Sequence, residues 1–366
     1  MLMNPSMLTF RMSVLLPVIC VGICTSHTVT SAVAQEKNAT QVEIVVGGRL
    51  PEESGDWDAN DSPLLRPFGI AFDSQNNMYI VELEGGRVHK RTPEGTLTHV
   101  SGDGSKSYMG DGGNFASATF NGMHNCAITK DDQLYIADSW NHCIRKVDLK
   151  TGIITTVAGT GEKGFAGDGG SARHALFDHV MCITLTPDDR TLHIADLGNR
   201  RIRAFTPGSG SIDTVAGTGQ KGIPENGVSA KASPLMDPRA VAADHLGNIY
   251  ILERGGHSLR VVRPDGTIST VAGTGKSGFN DGPGSLAQFA SPKHICVDDL
   301  GNVYVADDAN KAIRRYSATT GEVSTVLGRG FGDPTIQLLQ PHGVCWHAGT
   351  LYVLDTSHNR ILKLQP

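Results

Sequence analysis

The chain has 366 residues, a formal net charge of −5 and 39% hydrophobic residues, enough for a packed core. That acidity excludes the broad basic face that nucleic acid requires. The one long apolar run, Met12 to Cys24, is too short to cross about 30 Å of hydrocarbon comfortably.

Arg11 precedes this run, and a small-residue tail ends at Ala32-Val33-Ala34 before Gln35. A positive flank, a short apolar core and an Ala-x-Ala site predict a signal peptide over 1–34, cleaved near Ala34. The mature chain, 35–366, is then expected to be secreted or periplasmic, to form a single domain and to carry no integral membrane segment. Cys20 and Cys24 leave with the signal, and Cys126, Cys143, Cys182, Cys296 and Cys345 remain. Five is an odd number without the tight spacings of a disulfide framework. They read as small buried hydrophobes.

From residue 42 the sequence is organised by a repeat. Val42 to Gly47 forms a β-branched strand pattern ending in Gly, and six similar units follow. Their cores are Met78-Tyr79-Ile80-Val81-Glu82, Leu134 to Asp138, Leu192 to Asp196, Ile249 to Glu253, Val303 to Asp307 and Leu351 to Asp355. The aromatic positions Tyr79, Tyr135, His193, Tyr250, Tyr304 and Tyr352 are separated by 56, 58, 57, 54 and 48 residues. After each core come a turn and a third strand, such as Ile144-Arg145-Lys146-Val147. A fourth strand ends in Gly, as in Thr155-Thr156-Val157-Ala158-Gly159. Short β-branched strands separated by turns make one twisted antiparallel sheet per unit. Such a sheet buries both faces only when it is stacked against others. The expected fold is all-β, a six-bladed propeller of four-stranded blades. The sixth unit stops after its third strand, near Leu364, so the strand at about 42–47 is expected to complete it and close the ring.

The turns Asp138-Ser139-Trp140-Asn141-His142-Cys143-Ile144-Arg145, Asp196 to Arg203 and Asp307 to Arg314 resemble the signature of the NHL repeat family. The resemblance covers about 42–364. It implies a six-bladed propeller and leaves function open. The inter-blade loops Gly110-Asp111-Gly112-Gly113 and Gly167-Asp168-Gly169-Gly170, with the variant Asn280-Asp281-Gly282, resemble an exported Gly-Asp-Gly-Gly subtype. Clustered Asp and Gly offer oxygen ligands to calcium, but they are read first as turns. There Gly supplies positive φ and Asp accepts backbone N–H bonds. The signature Asp and Asn are read as structural on the same grounds.

Functional residues are sought where the six innermost strands begin, at one mouth of the channel. Aligning the six units places Phe68, His124, Met181, Arg239, Lys293 and His342 in one column. The next column is Gly69, Asn125, Cys182, Ala240, His294 and Gly343. In an acidic chain, His124, Asn125, Arg239, Lys293, His294 and His342 form a local basic cluster whose field low-dielectric walls would focus. Two readings stay open. In the first, the protein is a non-enzymatic binding propeller, its mouth taking a small anionic ligand or a protein partner, with no cofactor. In the second, it is a metal-dependent lyase or hydrolase. Pro341-His342-Gly343-Val344 resembles a lead-in of the peptide α-amidating lyases, also six-bladed, which hold zinc on three histidines. His124 and His342 match two of those positions, Arg239 stands at the third, and His294 would have to substitute. Zinc needs at least three protein ligands. No Gly-x-Ser-x-Gly or His-Glu-x-x-His motif is present.

Overall fold

A computed structural model describes residues 41–47 and 64–366. The signal peptide expected over 1–34 lies outside the described residues. Among those described, no helix is long and apolar enough to cross a membrane.

The described residues fold as six antiparallel sheets, each in the meander order that the repeat implies. The innermost strands are Pro67–Phe72, Met123–Ile128, Val180–Leu185, Pro238–Ala243, His294–Val297 and Pro341–His347. Each packs on the next, and the sixth packs on the first, so the sheets form a ring. Val42–Gly47 pairs antiparallel with Arg360–Leu364 and supplies the fourth strand of the last blade. Val45 and Val46, 2% and 0% exposed, anchor that closure, each contributing about 1.5–3 kcal/mol by burial.

The second strands lie deepest. Ile80, Ile136, Ile194, Ile251, Val305 and Val353 occupy one register position and are all fully buried. Apolar clusters fill the seams between neighbouring blades. All five cysteines lie in strands as free thiols, three buried and two half-buried. The expectation of four strands per blade needs one addition. In blades 3, 4 and 5 the preceding loop contributes a two-residue fifth strand, Gly170–Ser171, Val228–Ser229 or Gly282–Pro283, to the outer edge.

The signature turn is a polar clamp. Asp138 accepts from Asn121 N–H at 2.8 Å and Asn141 Nδ2 at 2.9 Å. Asp196 and Asp307 repeat this with Asn199 and Asn310. The residue in left-handed backbone is the one after Asn: His142, Arg200 and Lys311, at φ 50°, 48° and 53°. Only in blade 6, where the order is His358-Asn359, does Asn take that conformation, at φ 51°. The signature Asn is thus used for its amide rather than for its backbone tolerance.

Behind each clamp lies a fully buried arginine. Arg145, Arg203 and Arg314 come from the third strands, and each lies between its signature Asp and the Asp of the preceding Asp-Gly loop. Arg314 donates to Asp307 at 2.9 Å and to Asp281 at 2.5 Å. Arg203 meets Asp168 at 2.7 Å and Asp196 at 3.6 Å, and Arg145 meets Asp111 at 3.3 Å and Asp138 at 3.6 Å. Threonines of the fourth strands, Thr156, Thr214 and Thr325, donate to the same loop carboxylates. Each loop carboxylate therefore faces a guanidinium and a hydroxyl.

Candidate functional site: a charged ring above the channel

A register irregularity shapes the start of each innermost strand. Pairing slips between Pro67 and Gly69, Met123 and Asn125, Val180 and Cys182, Pro238 and Ala240, and Pro341 and Gly343. The residue left over in each case is Phe68, His124, Met181, Arg239 or His342. In blade 5, Lys293 N–H donates to Ala306 O at 2.9 Å although His294 is the residue opposite Ala306. A bulge leaves its extra residue unpaired and re-aims the side chain. The same device in every blade turns these six toward the axis.

The first column meets as a ring. Phe68 contacts His124 edge-on at 5.0 Å and His342 at 4.7 Å, and the Arg239 guanidinium lies 6.0 Å from the centre of its ring. Arg239 also donates to Met181 O at 3.4 Å. Lys293 and His342 converge on Asp308, at 3.8 Å and 3.2 Å. His124 bonds Gly122 O through Nδ1 at 2.8 Å and stands against Trp140. Phe68, His124, Arg239 and His342 are buried, whereas Met181 and Lys293 are partly exposed.

The second column does not join this ring. Its glycines show how closely neighbouring inner strands approach. A Cβ on Gly69 would lie 2.7 Å from Asn125 Cα, and one on Gly343 would lie 2.7 Å from Phe68 O. Asn125 reaches across the axis to His294, Nδ2 to Nε2 at 3.0 Å, while its Oδ1 accepts Ile183 N–H. Cys182 Sγ lies 3.5 Å from the same nitrogen. Asn125 and His294 therefore form a polar crosspiece beside a cavity of about 270 Å³. The cavity runs between the inner strands past Cys126, Ile128, Val297 and Trp346.

Arg239 is the electrostatic anomaly. It is 4% exposed, no carboxylate among the described residues forms an ion pair with it, and its Nε has no hydrogen-bond partner. Burial, reinforced by Arg254, pushes its pKa down to about 10. Burial and then Arg239 push His294 down to about 4 and hold His124 well below the usual histidine range. Burial also lowers His342, against the opposing effect of Asp308, and its Nδ1 is buried without a partner. Sequence reading missed Asp308, together with Arg254 and Asp237, which pair at 2.9 Å. A signal for Asp308 was present. The position after the signature acid is Leu83, Ser139, Leu197, Arg254, Asp308 or Thr356, and only blade 5 places a carboxylate there.

His124, His294 and His342 do not bring three donor atoms together. Among the described residues, one group of three metal-competent side chains lies within 4.8 Å: His142, Asp178 and His179. There His142 Nδ1 accepts His179 N–H at 3.3 Å, and His179 bonds Asp178 at 2.6 Å. The first contact is a recurring inter-blade cap. His257 Nδ1 accepts Ser291 N–H, and Asn359 Oδ1 accepts Arg66 N–H, in the same way.

No family model matches the chain. NHL repeat-containing protein 2 of Gallus gallus is 28% identical over 345 residues, covering 83% of this chain and 47% of that protein. The chloroplastic protein SUPPRESSOR OF QUENCHING 1 of Arabidopsis thaliana is 27% identical over 309 residues, covering 80% of this chain and 29% of that protein. The chain thus spans less than half the length of these curated relatives. An auxiliary nutrient binding protein from Bacteroides thetaiotaomicron VPI-5482 has a similar solved structure. Its TM-score is 0.66 at 14% identity, over 89% of this chain and 76% of that one. At that identity the likeness shows the fold.

Proposed function

From the premise that the chain is a six-bladed propeller of NHL-type repeats, we propose that it is an exported binding scaffold whose ring holds a small anionic ligand. Arg239 carries this reading. A buried guanidinium without a carboxylate is costly to desolvate, and a scaffold that elsewhere pairs its buried arginines has no packing need for it. A ligand carboxylate would complete the site through a charge-assisted bond, with Lys293 and His342 beside it. The nutrient-binding role named for a Bacteroides propeller of this fold is consistent with ligand capture. The export pattern over 1–34 fits a protein working outside the cytoplasm.

The metal-dependent lyase reading has less support. It requires three converging ligands, and His294 is engaged with Asn125 and Cys182 instead of meeting His124 and His342. The test is isothermal titration of the purified protein with small anions. Binding that weakens at least about tenfold in Arg239→Gln, a loss of one charge-assisted bond, is the expected result. Equal heats for wild type and variant would overturn the assignment of the anion to Arg239.

A further inference from the structure

The charge around Arg239 can be counted. Among the described residues, three cations share this region, Arg239, Arg254 and Lys293, with two carboxylates, Asp237 and Asp308. Asp237 is held by Arg254 at 2.9 Å, and Asp308 lies 3.8 Å from Lys293. Three minus two leaves one uncompensated positive charge, on Arg239. His124 and His342, both shifted toward the neutral form, add none near neutral pH. A monoanion balances this ring, and a dianion would bury an excess charge in it.

The ring is also divided by sector. Blades 4, 5 and 6 contribute Arg239, Lys293, Asp308 and His342. Blades 1, 2 and 3 contribute Phe68, Trp140 behind His124, and Met181. At the position that holds Asp308 in blade 5, blades 1 and 3 carry Leu83 and Leu197. Phe68 spans the two sectors, lying against His342 and 6.0 Å from the Arg239 guanidinium. One half of the ring is built for a charge. The other offers the aromatic ring of Phe68, a surface that favours a flat apolar body.

Resting on the anion-site reading, we infer that the ligand is a monocarboxylate with an aromatic body. Its carboxylate pairs with Arg239, and its ring packs against Phe68. The probes are phenylacetate, benzoate, acetate and inorganic phosphate, titrated separately into the purified protein at neutral pH and moderate salt. Wild type should bind the aromatic acids at least about tenfold more tightly than acetate, as burial of a ring predicts, and more tightly than phosphate. Phe68→Leu should narrow the gap between phenylacetate and acetate. Arg239→Met should remove binding of every acid.

If acetate and phenylacetate bind alike, the aromatic inference falls and the anion site stands. If phosphate binds more tightly than any monocarboxylate, the charge count is wrong and the inference falls. If no anion binds, the inference and the proposed function fall together. The wild-type selectivity series requires no variant to fold. Ligand-observed NMR on the same four probes, with transfer to the phenyl protons as the expected result, checks it independently.

Discussion

Two kinds of buried arginine occur in this protein. Arg314 is fully buried between Asp307 and Asp281, and it also bonds the carbonyls of Gln288 and Asn280. Arg239 is almost as deeply buried but, among the described residues, reaches only Met181 O, at 3.4 Å, and the face of Phe68. The first kind repeats in blades 2, 3 and 5, where the signature turn and an Asp-Gly loop coincide. The second occurs once, on a bulge at the axis. Repetition with a carboxylate on either side of the guanidinium marks architecture, whereas a single guanidinium with no described carboxylate beside it, at the centre of the ring, marks a place prepared for something else.

The largest expected effect breaks the paired kind. Arg314→Met leaves Asp307 buried and uncompensated, and should cost about 3–5 kcal/mol of unfolding free energy, measured by urea denaturation. Next comes acid sensitivity caused in part by the unpaired kind. His294 is held near 4, first by burial and then by Arg239, whereas an unfolded histidine titrates near 6.5. Between those values the unfolded chain takes up a proton that the folded chain refuses. Its contribution is therefore present above about pH 6.5 and lost as pH falls toward about 4, on the order of 3 kcal/mol. The buried acids Asp138 and Asp196, raised by burial to about 6 and about 7, act in the opposite direction. The comparison is thus the slope of wild type against that of His294→Gln, which should be shallower in its loss of stability. Equal slopes would remove His294 from the account.

A smaller effect sharpens the paired side. Asp281 is about one-third exposed and is one of two carboxylates on Arg314. Asp281→Asn should therefore cost only about 1 kcal/mol, well short of Arg314→Met. A loss as large as that of Arg314→Met would mean that the loop, rather than the signature Asp, holds the guanidinium. The smallest effect is spectroscopic. In Arg239→Met the His294 imidazole should titrate at higher pH than in wild type, because a neighbouring positive charge has gone. An unchanged NMR titration would show that Arg239 does not act on it.

The ring of blades was legible because the repeat shows itself six times, and the missing last strand matched the pattern at 42–47. The column Phe68, His124, Met181, Arg239, Lys293 and His342 was legible for the same reason, since equivalent positions in a closed repeat must face a common axis. The neighbouring column makes its own contacts. Asn125 and His294 were grouped with the mouth residues, and the structure pairs them with each other across the axis, apart from the first-column ring. A bulge depends on pairing between strands and leaves no reliable mark in one strand's sequence. Asp308 was missed because it sits in a turn read as pure signature. The arginine clamp was only half seen. Asp138 and Asp111 were both read as structural, but the side chain joining them lies on a third strand in each blade, and only the folded sheet brings the three together.

The most direct test compares the two arginines in one assay: unfolding of wild type, Arg239→Met and Arg314→Met, with and without phenylacetate. The account predicts that Arg239→Met is more stable than wild type by about 1–2 kcal/mol without ligand, because an unpaired buried charge has been removed. It also predicts that phenylacetate stabilises wild type but not this variant. If Arg239→Met instead loses stability as Arg314→Met does, Arg239 is a structural residue and the ring has no vacancy for an anion.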